Sequence, residues 1–145
     1  MCNERAQLYS KTNIEDSTLL QKLSEIMKMD MIEGKSKEEI AAIWTGYLAT
    51  KEGLCAVIPS ATFQSMKDLY GIHKTFLLPL PRSEGYEFVV VQFEGNEAHF
   101  TTLINFQAHA ENAPECLTLV HYVDLAEEKG IVLMKGDFDP NVLVS

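Results

Sequence analysis

The chain has 145 residues, 46% of them hydrophobic, which suits a single domain with one core of ordinary size. Twelve basic against 21 acidic side chains leave a formal charge of −9, which argues against nucleic acid or an anionic membrane as the principal partner. No stretch approaches the ~20 apolar residues of a membrane span, so no membrane insertion is expected. The charge is uneven: residues 73–145 hold four basic and eleven acidic side chains, a balance of −7.

Residues 1–15 read as a polar, flexible arm, and residues 16–145 as one domain. The opening Met1-Cys2-Asn3-Glu4-Arg5-Ala6-Gln7 has no apolar run and no Arg-rich, acid-poor character, so it resembles neither a secretory signal nor a mitochondrial presequence. From Asp16 or Ser17, Leu19, Leu20, Leu23, Ile26 and Met27 recur on one helical face up to Gly34. Met27, Met29, Met31 and Ile32 then cluster, read first as core filling and second as an adaptable apolar surface. Ser36-Lys37-Glu38-Glu39 predicts a capping box opening a second helix, with Ile40, Ile43, Trp44, Tyr47 and Leu48 as its apolar stripe.

The period changes at Leu54-Cys55-Ala56-Val57-Ile58, a buried strand ending at Pro59. Ser60 is expected to cap a helix carrying Phe63, Met66, Leu69 and Tyr70, ended by Gly71. Thr75 to Leu80 predicts another strand, interrupted by Pro79 and Pro81, which place it at a sheet edge or a strand exit. Gly95-Asn96 reads as a two-residue hairpin loop, so residue numbers paired across it sum to 191. Val89, Val91, Phe93, Ala98, Phe100 and Thr102, continued by Ile104 and Phe106, then form the core face. The opposite face, with Phe88, Val90, Gln92, His99, Thr101 and Leu103, is expected to be partly covered or to meet a partner. Two more strands at Leu117–Tyr122 and Ile131–Lys135, with a helical turn around Leu125–Glu128, complete an α+β fold with a largely antiparallel sheet.

Chemistry-bearing patterns are sparse. Three cysteines, Cys2, Cys55 and Cys116, are too few and too scattered for a disulfide framework or a thiolate metal site. His73, His99, His109 and His121 share no chelating spacing, and Asp137-Phe138-Asp139-Pro140 reads as a solvated turn, not a cation site. No phosphate loop, dinucleotide fingerprint or nucleophile elbow occurs. A cysteine-dependent hydrolase using Cys55 or Cys116 with a histidine is the alternative reading, although both cysteines lie in apolar runs where the residue is usually inert. The segments left over suit protein contact: Leu78-Pro79-Leu80-Pro81-Arg82, and the small-residue loop from Gln107 to Pro114.

At these segments the chain resembles the mitochondrial ATP synthase assembly factor 1 family. The likeness is carried by Cys55-Ala56-Val57-Ile58-Pro59, by Leu78–Arg82 with Gly85-Tyr86-Glu87-Phe88, and by His99-Phe100-Thr101-Thr102-Leu103-Ile104-Asn105. It continues through Glu111-Asn112-Ala113-Pro114 and Glu127–Met134, in the family's order. The resemblance implies an ATP-independent chaperone of the mitochondrial matrix, not an enzyme, needing no cofactor and no metal. Its partner would be the unassembled beta subunit of the ATP synthase F(1) head, kept from aggregating until the alpha subunit takes over. A monomer is expected. Motif density and loop character single out Pro79, Leu80, Pro81, Arg82, Tyr86, Phe88, Asn105, Phe106, Glu111 and Asn112 as the expected contact residues. The acidic surface would surround that contact region and limit self-association. The family pattern continues into a C-terminal helix, which this chain, ending at Val144-Ser145, is expected to lack.

Overall fold

A computed structural model describes residues 22–51 and 53–143. The proposed arm, Leu19 and Leu20 lie outside the described residues. The elements in chain order are α1 (Leu23–Ile26), α2 (Met29–Ile32), α3 (Lys37–Ala49), β1 (Leu54–Pro59), α4 (Ser60–Ile72), β2 (Thr75–Arg82), β3 (Gly85–Glu94), β4 (Glu97–Thr102), α5 (Leu103–His109), a 3-10 turn (Ala110–Asn112), β5 (Leu117–Tyr122), α6 (Ala126–Lys129), β6 (Ile131–Phe138) and a 3-10 turn (Pro140–Val142). The strands form one sheet in the order β1-β6-β5-β4-β3-β2, with every neighbouring pair antiparallel. The fold is α+β, as the pattern of helices followed by strands implies.

The first helical stretch departs from expectation. Met27 is extended (φ −125°, ψ 140°) and splits it into α1 and α2. The break has a packing reason. Leu23 and Ile32 are nine positions apart, so in a continuous helix they would sit roughly half a turn apart. Broken at Met27, the chain buries Leu23, Met27 and Ile32 in one core. Met29 packs partly against that core while Met31 is exposed, so the methionines serve mainly as filling. The Ser36 hydroxyl caps α3, accepting from the Glu39 N–H at 3.2 Å. Of the expected stripe, Ile40, Trp44 and Leu48 are buried and Ile43 and Tyr47 are exposed. These three helices cover one face of the β1-β6-β5 end, against Val120, Tyr122, Ile131 and Leu133. Trp44 is central there: its ring meets Tyr122 edge-on at 5.8 Å, and its Nε1–H donates to the Met134 carbonyl at 3.0 Å.

Helix α4 crosses the other face. Phe63 lies against the His121 ring at 4.9 Å, and Tyr70 stacks on Phe93 at 3.7 Å. Ser60 does not cap it; Pro59 holds the N-cap position and the Ser60 N–H donates to Gly130 O at 2.9 Å. The helix runs one residue past Gly71. Further along this face, Val89, Val91 and Cys116 form a second core with Leu80, Phe93, Phe100, Val142 and Leu143.

The 86–106 hairpin pairs as expected around Gly95-Asn96: Val89 opposes Thr102, Val91 opposes Phe100 and Phe93 opposes Ala98. Gly95 takes φ 58°, the left-handed geometry such a loop needs. Ile104 and Phe106, expected to continue the strand, instead lie in α5, because the Thr102 hydroxyl accepts from the Asn105 N–H at 3.2 Å and starts a helix. Ile104 is consequently 69% exposed and not core.

Candidate protein-binding surface

Cross-strand neighbours share a face of the sheet. The register of β2 on β3 therefore places Leu77 beside Val90, Pro79 beside Phe88 and Pro81 beside Tyr86 on one side. Continuing that side toward the hairpin loop gives Gln92 and His99, then Thr118 of β5. The two ends behave oppositely to their polarity. The polar end is closed: Gln92, His99, Thr101 and Thr118 are buried. Their burial is tolerated because partners are at hand. His99 Nδ1 lies 3.0 Å from Glu115 Oε2, the Thr118 hydroxyl donates to the same carboxylate oxygen, and the Thr101 hydroxyl donates to Pro114 O at 2.7 Å.

The apolar end is open. Tyr86 is 66% exposed, Leu77 53% and Phe88 39%, and Pro79 and Pro81 are exposed between them. Beyond Phe88 lies a cleft of about 770 Å³ lined by Arg82, Tyr86, Phe88, Leu103, Ile104 and Leu143. Arg82 is held in place by Glu87, which accepts from its Nε at 2.9 Å. Its exposed location makes that pair a positioning contact of small energetic weight. Buried apolar groups do not need a partner; exposed ones packed together do, because the water around them favours any apolar surface that displaces it.

The residues singled out from the sequence are partly brought together. Pro79, Pro81, Tyr86 and Phe88 form the exposed face, and Arg82, Tyr86 and Phe88 reach the cleft. Leu80 points the other way, into the second core. Asn105 and Phe106 are half-buried on α5, and Glu111 and Asn112 lie on the following 3-10 turn; none of the four lines the cleft. Leu77 and Ile104 belong to the open surface and sequence reasoning missed both. Leu77 carried a usable signal, its place two residues before Pro79 on an edge strand. Ile104 carried another, since Thr102 is an N-cap residue type.

Cys55 and Cys116 are set up for packing. The Cys116 thiol is buried, donates to Phe100 O at 3.4 Å, and is pushed above its usual range chiefly by that burial, with Glu87 and Glu115 adding to it. A nucleophilic thiol needs the opposite shift. Cys55 packs half-buried against the helical core. The His121 Nδ1 sits 2.9 Å from the Asn96 carbonyl, which can only accept, so that nitrogen carries the proton. Among the described residues, no group of three or more His, Cys, Asp or Glu side chains could hold a metal ion. Asp139 caps the last turn, accepting from the Asn141 N–H at 3.0 Å.

The chain is thus an α+β protein, with an antiparallel sheet carrying helices on both faces and an apolar edge left open. A family model described as ATP11 protein matches residues 2–145, and the chain belongs to that family. It is 47% identical over 117 residues to the ATP synthase mitochondrial F1 complex assembly factor 1 of Danio rerio, a match covering 81% of this chain and 39% of that protein. The protein of the same name from Homo sapiens is 47% identical over 121 residues, covering 83% and 37%. Protein atp11, mitochondrial, of Schizosaccharomyces pombe is 28% identical over 127 residues, covering 83% and 44%. The chain thus spans about two fifths of the length of the curated relatives it matches.

Proposed function

We propose that the chain acts in assembly of the mitochondrial ATP synthase F(1) complex. In this reading it is an ATP-independent chaperone of the matrix that holds the unassembled beta subunit and yields it to the alpha subunit. The assembly role is supported by the names of its relatives. The mode of action is supported by one observation: the exposed apolar face of Leu77, Pro79, Pro81, Tyr86 and Phe88, continuous with the Ile104 cleft. A subunit separated from its partner exposes an apolar interface that self-associates. A second apolar surface of modest extent can cover it and still be displaced by a larger, better-fitting one.

The test is aggregation of isolated beta subunit, followed by light scattering with and without this chain. Suppression of scattering, reversed in favour of an alpha–beta complex when alpha is added, is the expected result. Unchanged scattering at a several-fold excess of the chain would remove the proposal. The hydrolase alternative has no observation in its favour, since burial raises the Cys116 pKa instead of lowering it.

A further inference from the structure

The apolar face ends at a strand edge, and the chemistry of that edge restricts what can dock there. Among the described residues β2 has a neighbour on one side only, β3. The ladder between them alternates. The Phe93 N–H donates to Lys74 O at 2.8 Å, which makes the facing pair Lys74 and Phe93 hydrogen-bonded, and every second pair after it likewise. Counting along the register, Phe76–Val91, Leu78–Val89, Leu80–Glu87 and Arg82–Gly85 are hydrogen-bonded. Thr75, Leu77, Pro79 and Pro81 occupy the alternate positions, whose own N–H and C=O groups point away from β3, out of the sheet edge.

Both prolines therefore stand where an N–H would otherwise face outward. They cost the β2–β3 ladder nothing, which is why it runs unbroken to Arg82. What they change is the free edge. It presents carbonyls at Thr75, Leu77, Pro79 and Pro81, but donors only at Thr75 and Leu77. A strand laid along it would find two donors missing in succession, on the half that borders Tyr86 and Phe88. A bare edge beside an apolar face is otherwise a template for pairing with another chain.

We infer that Pro79 and Pro81 close the free edge of β2 to strand pairing, so that a partner is held by its side chains on the Leu77–Phe88 face, not as an added strand. The partner this surface fits is a protein surface of apolar side chains rimmed by Lys or Arg. Apolar groups match Leu77, Tyr86 and Phe88. Cationic N–H donors match the outward carbonyls of Pro79 and Pro81, roughly 7 Å apart along the strand. They also match the exposed Glu84 beside the cleft, where the Arg82 charge is already met by Glu87. The same closure keeps two copies of the chain from joining edge to edge. Identification of that partner as an F(1) subunit rests on the proposed function; the closure of the edge does not.

The experiment pairs two arms. In the first, without partner, the double variant P79V/P81V restores both outward donors, and Leu80→Val serves as control because the Leu80 N–H faces β3. Sedimentation velocity over a concentration series should show P79V/P81V self-associating at about tenfold lower concentration than wild type. Amide exchange at residues 75–81 should slow in that variant alone. A double variant that associates no more than wild type, or a Leu80→Val variant that associates equally, overturns the inference. In the second arm, isolated beta subunit is added to wild type and amide exchange is read at Thr75 and Leu77. Binding that leaves those two amides fast, and that weakens with salt, is the expected result. Binding that protects them as a strand would, or that ignores salt, overturns it. No binding at all refutes the proposed function, while the first arm still decides the edge.

Discussion

Trp44 joins the α1–α3 layer to the sheet, and replacing it tests how that layer is held. The side chain is 0% exposed, donates to Met134 O on β6 and contacts Tyr122 on β5. Trp44→Phe keeps an aromatic ring but loses the donor, about 1 kcal/mol. The smaller ring leaves an unfilled volume worth roughly another 1 kcal/mol. Together these predict a loss of about 2 kcal/mol, or a melting temperature lower by roughly 4–8 °C in a domain of this size. Trp44→Ala removes the whole ring and should cost about 3–5 kcal/mol. Trp44 is the chain's single tryptophan, so urea unfolding is followed by far-ultraviolet circular dichroism and not by fluorescence. A cycle with Tyr122→Leu should return a coupling of about 0.5–1.5 kcal/mol from the edge-to-face contact. If Trp44→Phe stays within about 0.5 kcal/mol of wild type, the ring is not packed as described and the helical layer is held by other contacts.

Other substitutions read the sheet. A Cβ on Gly136 would come within 2.6 Å of Leu119 Cδ2 and 3.3 Å of Leu54 Cβ, so Gly136→Ala should destabilise by roughly 1–3 kcal/mol in the same urea assay. Glu97 has a carboxyl oxygen buried without a hydrogen-bond partner among the described residues, and its pKa is raised by burial, with Glu115 and Glu94 adding to it against His99. With a raised carboxyl pKa, stability falls as pH rises from the unfolded value near 4.5 through the folded one, and the full penalty is present above the folded pKa. Glu97→Gln should therefore raise the melting temperature at pH 7, with the gain shrinking toward pH 4; an equal gain at both would refute the assignment. His121 has the opposite linkage: burial lowers its pKa below 6.5, so stability should fall as pH drops from about 6.5 through the folded value, and His121→Leu should flatten that fall.

How much of this was legible depends on where each residue's partner sits. The hairpin register followed from a two-residue loop, because loop length fixes pairing locally. Pro79 and Pro81 marked an edge strand for the same local reason: a missing N–H is a property of the residue itself. The break at Met27 could not be read that way, since its cause is the joint burial of Leu23 and Ile32 against a sheet formed a hundred residues later. The face of Gln92 and His99 is partly covered, as expected, but which end is covered was not legible: Glu115, 16 residues beyond His99, supplies the partner that lets the polar end be buried. Once that end is closed, the open apolar end at Phe88 is what distinguishes the surface. Asn105, Phe106, Glu111 and Asn112, expected as contact residues from motif density and loop character, lie on α5 and the 3-10 turn and do not line the cleft, because neither signal carries a direction.

The proposal that the Leu77–Phe88 face holds an unassembled F(1) beta subunit is tested most directly by the suppression of beta-subunit aggregation by wild type compared with Tyr86→Ser/Phe88→Ser, each first shown by circular dichroism to be folded. The account predicts that wild type suppresses aggregation and that the folded double variant requires at least about a tenfold higher concentration to do so, from the loss of two exposed aromatic contacts. A folded double variant that protects the subunit as well as wild type would contradict it.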